Sequence, residues 1–93
     1  MNAKVIQSLT AIVPTLRWSD DVTIQHLQLS NSLTVIAEQL SPNQQAELAE
    51  MILDADTPPN KIAKWLTDQI PQITLLLREL ESKVTLITRN MQP

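Results

Sequence analysis

The chain is expected to be all-α, a compact antiparallel helical bundle of four to five helices that ends in a long C-terminal helix and forms a single domain over residues 1–93. Three observations carry that expectation. Apolar residues recur in steps of three and four in segment after segment, the spacing that lines one face of a helix. Serine, aspartate and proline fall at the joins between those segments, where a helix start gains from a side-chain cap and a preset φ. Glycine is absent, so the tight turns that reverse strands into hairpins lack their usual residue.

Val5, Ile6, Leu9, Ile12, Val13 and Leu16 share one helical face and predict a first amphipathic helix over about 3–13, ended or kinked by Pro14. Ser19, Asp20 and Asp21 offer cap oxygens and negative charge to a second helix reaching about Leu40. Its expected seam is Val22, His26, Leu29, Leu33, Ile36 and Leu40. A strand competes over 22–29, where VTIQHLQL alternates, but no turn is present to pair it. Ser30, Asn31 and Ser32 are weak helix formers and predict a bend or break.

The sequence Ser41-Pro42-Asn43-Gln44 is the clearest start signal: a capping Ser, a Pro at the first helical position and a Gln three residues on. A third helix follows to about Ala55, burying some of Leu48, Met51, Ile52 and Ala55. Asp56 or Thr57 before Pro58-Pro59 repeats the arrangement and opens a fourth helix carrying Ile62, Trp65, Leu66 and Ile70. Pro71 kinks or restarts the chain. From Ile73 to Met91 the residues Ile73, Leu77, Leu80, Val84, Ile87 and Met91 form a regular seam, and Glu79 and Lys83 support that last helix at the four-residue spacing.

Composition removes whole classes of function. Without Gly there is no phosphate-cradling loop, and without Cys there is no thiol nucleophile, disulfide or thiolate zinc site. Trp18 and Trp65 are the only aromatics, which supplies base-stacking platforms poorly. The net charge of −3 argues against a nonspecific nucleic-acid binder. Charge is also uneven: Met1 to Asp56 holds two bases against seven acids, net −5, while the remainder holds five bases against three acids, net +2. Such a bias helps align helices or chains weakly. No apolar run reaches the roughly 20 residues of a membrane span, and the opening VIQSLTAIV lacks a continuous apolar core or a small-residue cleavage site, so a cytoplasmic location is expected.

The candidate sites are surfaces. His26 with Ser30 one turn later pairs a base with a hydroxyl, but no orienting acid or oxyanion pocket accompanies them, so His26 reads as a core or interface residue. Glu47, Glu50 and Asp54 share one helical face. One helix face falls short of the roughly 6 to 8 oxygens a calcium ion takes, so they read as a solvated acidic face open to docking. The helix pair joined at DADTPP, with Asn60, Lys61 and Lys64 on its second member, raises a helix-turn-helix alternative, which an acidic first helix and two prolines in the turn weaken. Trp65 is expected to close the core and Trp18 to stand half exposed. Leu75, Leu76 and Leu86 widen the last helix's apolar face beyond a narrow seam.

No catalytic, cofactor or metal residues are assigned. The expected function is a non-enzymatic protein–protein interaction module, such as an adaptor, assembly factor, inhibitor or regulatory subunit, acting as a homodimer on a partner protein. Its interface residues are expected to be Leu76, Leu86, Trp18, Glu47, Glu50 and Asp54. The alternative is a DNA-associated transcriptional regulator using the 57–70 helix.

Overall fold

Val5, Leu9 and Val13 repeat every fourth residue along the first helix, α1 (Asn2–Ile12), and just past its end, and all three are buried. The computed structural model describes residues 2–81, and among them there is helix and turn but no strand. The other whole helices are α2 (Val22–Glu38), α3 (Pro42–Leu53) and α4 (Pro59–Gln69). A fifth, α5, is described over residues 73–81. The outer half of the expected C-terminal seam, Val84, Ile87 and Met91, lies outside the described residues, as does Leu86.

Local chemistry sets most boundaries. Asp21 caps α2, its Oδ1 accepting from the amides of Thr23 at 2.9 Å and Ile24 at 3.2 Å. Ser41 and Gln44 form a reciprocal capping box at α3, since Ser41 Oγ accepts from Gln44 N–H and Gln44 Oε1 accepts from Ser41 N–H. Helix α3 stops two residues earlier than expected, so Ala55 lies beyond it and is exposed, while Leu48 is buried and Met51 and Ile52 are half-buried. The start of α4 also differs: Pro58 is the cap residue and makes no side-chain hydrogen bond. Thr57 points inward instead, its buried hydroxyl donating to Asp54 Oδ2 at 2.9 Å. Pro59 stands at the first helical position, where its fixed φ suits the helix and its missing N–H leaves one fewer donor unpaired at the helix start.

Helix α2 runs through Ser30, Asn31 and Ser32 without the expected break. Ser32 Oγ donates to the Gln28 carbonyl and Thr34 Oγ1 to the Ser30 carbonyl, so the hydroxyls are satisfied within the helix.

Helix α1 packs most extensively on α4, a partner remote in sequence, whereas short connections predict neighbours in chain order. Ser8 and Ala63 are the small buried residues of these two helices, and small side chains let helix axes approach. Ser8 Oγ donates to the Lys4 carbonyl, which offsets the cost of burying it. Leu29, Ile36, Leu40, Leu48, Ile62, Leu66, Ile70, Ile73 and Leu77 join the α1 residues in one apolar cluster. Trp18, Trp65, Leu33 and Leu76 pack against its margin, half-buried.

Candidate functional site

Two surfaces remain once the core is accounted for. The first is the outer face of α2. Leu29, Ser32 and Ile36 turn this helix inward, which leaves Val22 at 76% and Leu27 at 40% exposure. His26, Ser30 and Thr34 are exposed on the same side. The expected buried seam is therefore corrected at its N-terminal end, because Val22 and His26 face solvent. Three later seam residues, Leu29, Ile36 and Leu40, are buried as expected. A helix of roughly 3.6 residues per turn drifts around its axis along a strict three-four repeat, and α2 buries only the half that meets the other helices.

Val22, Thr23, Ile24, His26, Leu27 and Ser30 together line an open, largely apolar hollow. From Val22 through Ala37 the sequence contains no Asp, Glu, Lys or Arg. The exposed side chains of this face are uncharged, with Val22 and Leu27 apolar among the polar Thr23, His26, Ser30 and Thr34.

The second surface is a groove between α3 and α4 lined by Glu47, Glu50, Met51, Asp54, Lys61 and Trp65. All three carboxylates singled out in the sequence are exposed and share this groove. Asp54 has a structural task there. Its Oδ1 accepts from the Asp56 amide at 3.0 Å and its Oδ2 from Thr57, and these hydrogen bonds to the charged form hold its carboxyl below the ordinary value. Lys4 Nζ reaches across from α1 to donate to the Met51 carbonyl at 2.7 Å and to the Asp54 carbonyl, placing a cation on the C-terminal end of α3. Among the described residues no three His, Asp or Glu side chains converge to hold a metal ion.

Comparison with protein-family models, curated proteins and solved structures yields no match.

The remaining expected interface residues are scattered. Trp18 is half-buried, its indole Nε1 donating to Thr10 Oγ1 at 2.9 Å, and so is tied to its own chain. Leu76 is half-buried against the core cluster. Leu75 beside it is 59% exposed. Trp18, Leu76 and the three acids do not form one patch with the α2 hollow, which none of them lines. Val22 and Leu27 escape the sequence reading as surface residues, and the missing charge along 22–37 is the signal that could find them. Among the described residues no helix is long and apolar enough to cross a membrane.

Proposed function

We propose that this chain is a non-enzymatic helical protein–protein interaction module, an antiparallel bundle that acts as a homodimer and presents an apolar helix face to a partner protein. One observation carries the reading: the outer face of α2 is exposed, apolar at Val22 and Leu27, and free of fixed charge. Leu27 lies three residues after the half-buried Ile24, a spacing at which a partner engages apolar anchors on one helix face. The groove of Glu47, Glu50 and Asp54 supplies a second, acidic surface for steering a partner.

The DNA-associated alternative is weaker. Lys61, on its would-be reading helix, shares a groove with three carboxylates, so its charge is offset where phosphate would have to approach. The function is tested by immobilising the full chain and comparing the proteins it retains with those retained by Leu27→Glu and by a control of unchanged charge on exposed α3, Asn43→Gln. A protein bound by the parent and the control but lost from Leu27→Glu is the expected result. Identical retention by all three would refute the α2 face as the contact.

A further inference from the structure

We draw no further inference here: the strongest candidate, the exposed uncharged face of α2 that bears Val22 and Leu27, carries nothing beyond the reading above because nothing in the structure shows what covers it.

Discussion

Truncating two core residues one turn apart on α5 should cost different amounts. Ile73 is fully buried and Leu77 is 1% exposed, so both Ile73→Ala and Leu77→Ala remove aliphatic carbons from the core cluster. Such truncations cost about 2 to 5 kcal/mol, the value depending on how far the site collapses. Leu77 borders a small hollow with Leu16, Trp18, Gln28 and Leu80, and Trp18 and Leu80 there are only half-buried. Half-buried neighbours at an edge can fill part of the void, so Leu77→Ala should fall near the lower end, about 2 to 3 kcal/mol. Ile73, at 0% exposure within the core cluster, should cost about 4 kcal/mol. A folded chain of 93 residues has a total of about 5 to 14 kcal/mol, so both variants should remain mostly folded in water, with little margin for Ile73→Ala if the parent lies at the lower end. Urea titration followed by far-ultraviolet circular dichroism measures the difference. With a slope of about 1 to 1.5 kcal/mol per molar, the midpoint should fall by about 2 M for Leu77→Ala and about 3 M for Ile73→Ala. A larger loss at Leu77 than at Ile73, or losses below about 1 kcal/mol at both, would refute the packing argument.

Other perturbations probe the joins. Ser41→Ala removes half of the capping box and should cost about 1 kcal/mol in the same titration. Trp18→Phe keeps the ring against the core but deletes the hydrogen bond to Thr10, and should cost about 0.5 to 1.5 kcal/mol. Asp54 has a folded pKa below its ordinary 3.8, so its carboxylate stabilises the fold above that pH. That contribution is lost as the pH falls below 3.8 toward the folded value. Asp54→Asn should therefore flatten the fall in thermal midpoint in acid, and an unchanged acid limb would count against the Asp54 turn. Leu27→Glu, on the exposed face of α2, should leave stability nearly unchanged, which a thermal melt checks.

Features set by near neighbours are legible in the chain alone. Helix class follows from apolar spacing, and the α2 and α3 starts follow from Asp21 and Ser41, because a cap is a contact between residues two or three apart. The acidic face of Glu47, Glu50 and Asp54 is legible for the same reason. Which part of each apolar stripe is covered depends instead on the assembled helices. Val22 and Leu29 belong to one repeat in the sequence, yet one is exposed and the other buried, because burial depends on where the other helices stand around α2. Thr57 shows the same division: next to two prolines it reads as a cap, but the turn folds its hydroxyl onto Asp54. Pairing of α1 with α4 is equally hidden, since helical periodicity specifies a face to bury and carries no label for the helix that buries it.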